Sequence, residues 1–311
     1  MKRKLLSFII PAYNEEACVE PLFARLSEVF STFSAHYDCE AIIVENGSGD
    51  ATYEKLQDIH KRDNRFKILK LARNTGTDGG MSAGLRYAKG DAVILLCADL
   101  EDPPELALEF VKKWEEGYHN VYGITKKRPN GWLRSTNSRA FYWLINKLTN
   151  NLIPPNASDF RLMDRKLYSV INQMKEHNRF LRGMVAWSGF KSVGIPYSRA
   201  ARAGGESKAH TLVVLQFALR SIFSFSYVPL RSATILGTLL SVLSFVAIAI
   251  LAIKFLLFGV PFPGFGSIIC LILLLFGFLF IVLGIISEYI GMIFEEVKAR
   301  PLFVVEEEIG L

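Results

Sequence analysis

Between Leu5 and Ile124, short apolar runs alternate with longer segments whose apolar residues recur every three or four positions. The short runs predict strands at Leu5–Ile10, Ala41–Val44, Phe66–Leu71, Ala92–Leu96 and Val121–Ile124. The run Ala92–Leu96 contains no polar residue, the pattern of a parallel strand buried on both faces. The clearest helical segment puts Val19, Leu22, Phe23, Leu26, Val29, Phe30 and Phe33 on one face, although Pro21 blurs where it starts. Such alternation predicts an α/β fold: a doubly wound, mostly parallel sheet. From residue 126 to 210 the periodicity loosens and basic residues gather.

The last third is different. Ala233–Phe258 and Ser267–Ile286 are each long and apolar enough to span a bilayer, with Lys254 as the single charge, close enough to an end to snorkel. Arg220, Arg231, Lys298 and Arg300 flank the pair, which by the positive-inside rule puts both chain ends in the cytosol and the hairpin tip outside. Leu212–Tyr227 is apolar but interrupted by Gln216, Arg220 and serines, as in a helix lying in the membrane interface. The expected organisation is a cytosolic α/β domain over 1–210, an interfacial region over 211–231, a transmembrane hairpin over 232–290 and a cytosolic tail over 291–311. In that tail, Leu302–Val305 has the character of an edge strand able to pair between subunits of a homo-oligomer.

Composition narrows the partners. A net charge of +6 over 311 residues suits an anionic membrane surface or a pyrophosphate-bearing ligand. No Lys/Arg stripe interleaved with aromatics is present, so nucleic acid is not an expected partner. Cys18, Cys39, Cys97 and Cys270 are scattered without metal-ligand or disulfide spacing, as expected of reduced thiols in a cytosolic compartment. Met1–Ile10 has a basic start, but its apolar run is too short for a signal peptide and is followed by Asn14-Glu15-Glu16.

The candidate chemistry centres on Asp99-Leu-Glu101-Asp102-Pro-Pro-Glu105, directly after the fourth strand. Open α/β sheets bind ligands at the carboxyl ends of their strands, and hard carboxylate oxygens there suit Mg²⁺ or Mn²⁺ holding a substrate's phosphates. An acidic helix N-terminus accounts for Asp102 and Glu105 equally well, but not for Asp99 at the strand end. Gly47-Ser-Gly49 lacks the third glycine of a dinucleotide fingerprint, and Gly76-Thr-Asp-Gly79-Gly80 lacks the Gly-Lys-Ser/Thr of a phosphate loop. The latter glycines instead suit close helix packing, or approach of a helix N-terminus to a ligand.

Pro11-Ala-Tyr-Asn-Glu15, Val44-Glu-Asn-Gly-Ser-Gly-Asp50 and Ala98-Asp-Leu-Glu-Asp-Pro-Pro-Glu105, each after a strand, resemble the motifs of the family 2 glycosyltransferases. Asp159-Phe-Arg-Leu-Met-Asp-Arg165, Asn178–Trp187, Arg199-x-x-Arg202-x-x-Gly205-x-Ser207-Lys208 and the terminal hairpin narrow the resemblance to polyprenyl-phosphate glycosyltransferases. Within these the chain resembles dolichyl-phosphate mannose synthase and, more closely, the bactoprenol glucosyltransferases of O-antigen modification.

The resemblance implies a GT-A, Rossmann-like nucleotide-sugar-binding domain. Pro11, Tyr13 and Glu15 would hold the nucleotide, Tyr13 against the base and Glu15 on the ribose. Glu45 and Asn46 stand where the family reads the base, and an Asn offers a uracil edge both donor and acceptor. Asp99 and Glu101 stand where the family binds its metal, with Cys97 replacing the usual first Asp and Glu101 the usual Gln. Arg134 and Ser138 match acceptor-phosphate positions; Arg128 or Lys126 would stand in for the Arg usual at Thr125, and Arg199 is assigned to the same phosphate. Arg202 and Lys208 match positions that clamp the donor diphosphate. Asp159 matches the acid near the anomeric carbon and would orient the acceptor or Arg161. The expected catalytic set is therefore Asp99, Asp159, Arg202 and Lys208.

The implied activity is inverting, metal-dependent transfer of a hexose, glucose favoured, from a UDP-sugar to undecaprenyl or another polyprenyl phosphate. The product would be a lipid-linked sugar at the cytosolic face of the inner membrane. A processive polysaccharide synthase and a catalytically inactive membrane scaffold are the alternatives. The first lacks its Gln-x-x-Arg-Trp motif here, and the second is motivated by Glu45 and Cys97.

Overall fold

Residues 4–12 form a strand because Leu6, Phe8, Ile9 and Ile10 fill both faces of a sheet and are fully buried. In the computed structural model, which describes residues 3–126, 154, 156–200, 228–258 and 264–311, this strand is β1, Lys4–Ala12. It is followed by α1 (Val19–Phe33), β2 (Tyr37–Glu45), α2 (Thr52–Arg62), β3 (Phe66–Leu71), α3 (Gly76–Tyr87) and β4 (Ala92–Leu95). A 3₁₀ turn at Pro104–Leu106 leads into α4 (Ala107–Glu115). Then come β5 (Asn120–Thr125), β6 (Ala157–Asp164), α5 (Arg165–Gln173), α6 (Leu181–Trp187) and β7 (Ser192–Tyr197). Two long helices, α7 (Val228–Phe258) and α8 (Phe265–Lys298), precede β8 (Val305–Ile309).

The strands form one sheet in the order β7-β5-β6-β4-β1-β2-β3-β8. β3, β2, β1 and β4 are parallel, and the order reverses at the β1/β4 boundary, so a crevice opens beyond the carboxyl ends of those two strands. The sheet is more mixed than expected: β6 runs antiparallel to β4 and β5, and β8 antiparallel to β3. The antiparallel β6 has a consequence for the site, because it delivers its N-terminal residues to the same end of the sheet as the C-terminal end of β4.

α1 packs by the face the sequence predicts: Val19, Leu22, Leu26, Val29, Phe30 and Phe33 are all buried. Pro21 is harmless there because it lies in the first helical turn, where backbone N–H groups have no intrahelical acceptor. On the opposite face α3 lies unusually close to the sheet. A Cβ at Gly84 would come within 2.2 Å of the Ile9 side chain, and one at Gly80 within 3.0 Å of Pro11. The glycines of this helix thus serve close packing, as the sequence suggested.

The chain divides into two compact units, Met1–Val214 with Arg300–Leu311, and Leu215–Ala299. In the second unit α7 and α8 span 31 and 34 residues. Among the described residues one helix, Leu274–Lys298 within α8, is long and apolar enough to cross a membrane, and Leu230–Leu240 in α7 is a shorter apolar stretch. Exposed Phe245, Leu256, Leu257 and Phe280 show that these helices carry large apolar side chains on their outer surfaces. The expected interfacial helix over Leu212–Tyr227 lies outside the described residues.

The tail differs from expectation. Its strand is Val305–Ile309 rather than Leu302–Val305, and it pairs with β3 of the same chain. Glu306 meets Lys70 at 2.9 Å, Glu307 accepts from Tyr53, and Glu308 accepts from Tyr87 at 2.6 Å. The side-chain partners available on β3, α2 and α3 outweigh the apolar character of Leu302–Val304 in setting where the strand begins.

Candidate active site

The carboxyl ends of β1 and β2 are laced together by their loops. Asn14 donates its backbone N–H to Ser48 Oγ at 3.0 Å and accepts from Gly49 N–H at 2.8 Å, and Glu15 N–H donates to Thr52 Oγ1 at 2.9 Å. Asn14 takes φ +51°, a left-handed conformation that Asn tolerates better than most residues. This lacing holds half-buried Tyr13 and Glu15 beside the sheet's switch point.

Glu45 and Asn46 are buried, and both side chains are engaged within the protein. Glu45 accepts from Ser48 N–H at 2.5 Å. Asn46 Oδ1 accepts from the Thr75 N–H at 2.9 Å and its hydroxyl at 3.0 Å, while Nδ2 donates to the Gly76 carbonyl at 2.9 Å. The amide expected to face a uracil edge therefore braces the entry to α3. Its donor and its acceptor are both satisfied by residues about thirty positions away in the chain, which a linear motif cannot reveal.

After β4 the acids fall as expected at the strand end. Asp99 Oδ1 accepts from the Glu101 N–H at 3.2 Å, and buried Leu100 between them holds φ +57°. A left-handed, β-unrelated Leu is strained, and such strain concentrates at functional sites. Asp102 is buried and accepts from Tyr197 Oη and from Arg199 Nε at 2.9 Å. Arg199 also reaches Glu101 at 3.3 Å, and the Ala200 N–H donates to the Glu101 carbonyl at 2.9 Å. Arg199, expected on an acceptor phosphate, lies against the acidic loop. Burial works to lower the basicity of its guanidinium, but Asp102 and Tyr197 raise it overall. Burial and the bond to Asp102 push the Tyr197 phenol up to about 12, so it stays a donor.

The β4–β6 register pairs Leu95 with Arg161, and its continuation sets Asp159 beside Cys97. Cys97 is a thiol: burial first, then Asp99, Asp159 and Asp102, push its ionisation far upward. Asp159 is gripped by Arg182 of α6 through Nε at 2.5 Å and Nη2 at 2.7 Å, not by Arg161, whose Nη2 donates to the Ser158 carbonyl at 2.9 Å. The two-toothed grip requires the antiparallel return of β6 to meet α6. Burial works to raise the Asp159 pKa, but Arg182, Arg161 and Arg199 hold it below the usual carboxylate value.

Asp78, on α3, completes the cluster, and sequence reasoning passed over it within the glycine-rich segment. Its Oδ1 accepts from the Leu181 N–H at 3.2 Å. Burial, then the charge of Asp159, pushes its pKa up to about 7. Arg182 lay within a motif already singled out, Asn178–Trp187, so its partner rather than its presence was missing. Arg128, Arg134, Ser138, Arg202 and Lys208 lie outside the described residues. Among the described residues, no group of three or more His, Cys, Asp or Glu side chains could by itself hold a metal ion.

The profile of a family described as Glycosyl transferase family 2 matches residues 7–171, more than half of the chain. The chain belongs to that family. Its relatives extend this over almost the full length. It is 44% identical over 307 residues to an uncharacterized glycosyltransferase of Synechocystis, covering 98% of this chain and 96% of the relative. It is 35% identical over 303 residues to the bactoprenol glucosyl transferase of Shigella phage SfII, covering 97% of each. With the putative glycosyltransferase CsbB of Bacillus subtilis the identity is 34%, over 99% of this chain and 93% of that one. Among solved structures, glucosyl-3-phosphoglycerate synthase from Mycobacterium tuberculosis, in complex with Mn²⁺, UDP-glucose and phosphoglyceric acid, aligns with a TM-score of 0.48. It is 18% identical, covering 71% of this chain and 78% of that chain. The family resemblance read from the motifs is thereby borne out, and this glycosyl transferase carries its motif acids around one crevice.

Proposed function

We propose that this family 2 enzyme transfers glucose from UDP-glucose to a polyprenyl phosphate, inverting the anomeric carbon, at the cytosolic face of the inner membrane. The observation that carries the reading is the end-to-end relationship with bactoprenol glucosyl transferases, apolar C-terminal region included, at 33–35% identity. The crevice supports it: Asp99, Glu101 and Asp159 converge at the sheet's switch point.

A divalent ion fits the residues present. Mg²⁺ and Mn²⁺ are commonly held by one or two carboxylates with substrate phosphates completing the shell, and the Asp99–Glu101 turn offers two such carboxylates on a rigid, strained loop. Asp99 and Glu101 would hold the ion, which when bound would neutralise the charge developing on the departing UDP. Tyr13 and Glu15 would hold the nucleoside. Glu45 and Asn46 act from behind by fixing the loops that shape its pocket.

A lipid phosphate is already anionic near neutral pH, so its attack needs little help from a base. The protein's task is to bring two anions together and orient them. Asp159, kept ionised by Arg182, would orient the acceptor rather than remove a proton. Arg202 and Lys208 would close on the donor diphosphate, and Arg134, Ser138 and Arg128 would hold the acceptor. The paired helices α7 and α8 would form a transmembrane hairpin that keeps the catalytic domain at the headgroup plane, where the acceptor is confined.

The test is a donor screen. Full-length protein in lipid nanodiscs is given labelled UDP-sugars and polyprenyl phosphate, with and without Mg²⁺ or Mn²⁺, and the lipid product is weighed by mass spectrometry. A metal-dependent lipid-linked monosaccharide is expected. Polymer would point to a synthase, and no product from any donor would sink the transfer reading.

A further inference from the structure

We infer that Asp78 is a positioning residue for the transfer step, acting on Asp159 through the first turn of α6. The geometry is a relay. Asp78 Oδ1 holds the Leu181 N–H at 3.2 Å, and the next residue, Arg182, closes both teeth of its guanidinium on Asp159 at 2.5 and 2.7 Å. Arg182 also reaches the Ala157 carbonyl at 3.3 Å, tying the same turn to β6. This inference rests on the transfer reading above, because it gives Asp78 a role only where Asp159 has one.

The relay is sensitive to charge. Asp78 faces Asp159 and Arg161 from β6, Arg182 from α6 and Arg179 from the segment before it. It is half-buried and crowded by protein. Crowding and the neighbouring Asp159 carboxylate push its pKa up to about 7. Below that value Asp78 is neutral and Arg182 belongs wholly to Asp159. Above it, a second carboxylate competes for the same guanidinium. The productive form is therefore the one with Asp78 protonated.

Two variants separate this from a purely structural role. Asp78→Asn keeps an oxygen for the Leu181 N–H but cannot ionise; Asp78→Ala loses the oxygen. Initial rates of hexose transfer from UDP-glucose to polyprenyl phosphate are measured across pH for full-length protein in nanodiscs. The acceptor's own titration is common to all variants, so the ratio of variant to wild-type rate isolates Asp78. For Asp78→Asn the ratio is expected near one at about pH 6 and to rise several-fold by about pH 8, with the midpoint near the value at which Asp78 ionises. For Asp78→Ala kcat is expected to fall roughly tenfold or more at every pH, with rescue by Asn. A flat Asn ratio, or Asn and Ala variants that behave alike, would overturn the inference.

A second readout does not depend on transfer. A carboxyl whose folded pKa lies above its unfolded value near 4 binds more protons in the folded state between those two values, so it costs stability progressively as pH rises through that window. The melting temperature of Asp78→Asn should therefore exceed that of wild type by a margin that grows from about pH 5 to about pH 8. If wild type transfers nothing but this margin grows, the transfer reading fails while the ionisation of Asp78 stands. If transfer occurs and the margin is constant, it is the charge-sensitive role of Asp78 that fails.

Discussion

Asp99 stands at the end of a fully buried strand and accepts the Glu101 amide across a residue in the left-handed region. Its carboxylate is thus held in place before any ligand arrives, which is what electrostatic stabilisation of a leaving group requires. Asp99→Asn keeps the shape and hydrogen-bond acceptor but removes the charge. Hexose transfer measured with saturating Mn²⁺ should fall by roughly 10²-fold or more, while the variant inserts in membranes as wild type does; unimpaired turnover would remove Asp99 from the proposed metal site. Arg199 poses the converse case. Its guanidinium lies 3.3 Å from Glu101 and 2.9 Å from Asp102, so a divalent ion must compete with a resident cation. The Arg199 side chain is 37% exposed, enough for solvent to screen such pairs. Arg199→Gln should therefore tighten Mn²⁺ binding only by on the order of a few-fold, read by electron paramagnetic resonance titration in the presence of UDP. Weaker binding would show that Arg199 supports the acidic loop rather than competing there.

At the level of elements, α3 is the piece on which several functions converge. Its glycines let it settle on β1 and β2, Asn46 braces its start, and Asp78 projects from its first turn toward α6. Gly84→Val would drive a branched side chain into Ile9, whose methyl already lies 2.2 Å from a Cβ at that position. Overpacking of this kind costs about 1–3 kcal/mol, more if the helix must lift from the sheet. The expected outcome is a lower melting temperature together with weaker UDP binding, since a displaced α3 moves both Asn46's loop and Asp78. A variant that melts early but binds UDP normally would show that α3 does not shape the pocket. The helix was legible as a segment, and its glycines as packing residues. That its first turn also supplies an acid to the crevice was not, because the partner of Asp78 lies 103 residues away in the chain.

At the level of the whole molecule, β8 seals the β3 edge of the sheet with Glu306, Glu307 and Glu308 reaching Lys70, Tyr53 and Tyr87. An uncovered edge strand presents unpaired backbone groups and invites association. Deleting residues 301–311 should lower the melting temperature of the detergent-solubilised chain and shift its light-scattering mass upward. A deletion variant that remained monodisperse with an unchanged melting temperature would mean that β8 contributes neither stability nor edge protection. The same strand shows where sequence pattern stops being decisive. Leu302–Val304 is more apolar than the segment that pairs, but the acids of Glu306–Glu308 find oppositely charged and hydroxyl partners on three separate elements, and those partners are brought together only by the fold.

Local pattern alone determined the strands β1 to β5, the apolar face of α1, the place of the acids after β4 and the apolar C-terminal region. Each of these depends on neighbours in the chain or on a residue's own preference for water or for a dry interior. Which cation grips which acid was decided by tertiary structure. Asp159 takes Arg182 instead of Arg161, Arg199 takes Asp102, Asn46 serves Thr75 and Gly76, and Asp78 joins the crevice. Charged and amide side chains reach several ångströms and choose among all partners the topology delivers. Their pairing follows from the antiparallel return of β6 and the docking of α6, neither of which a linear motif encodes.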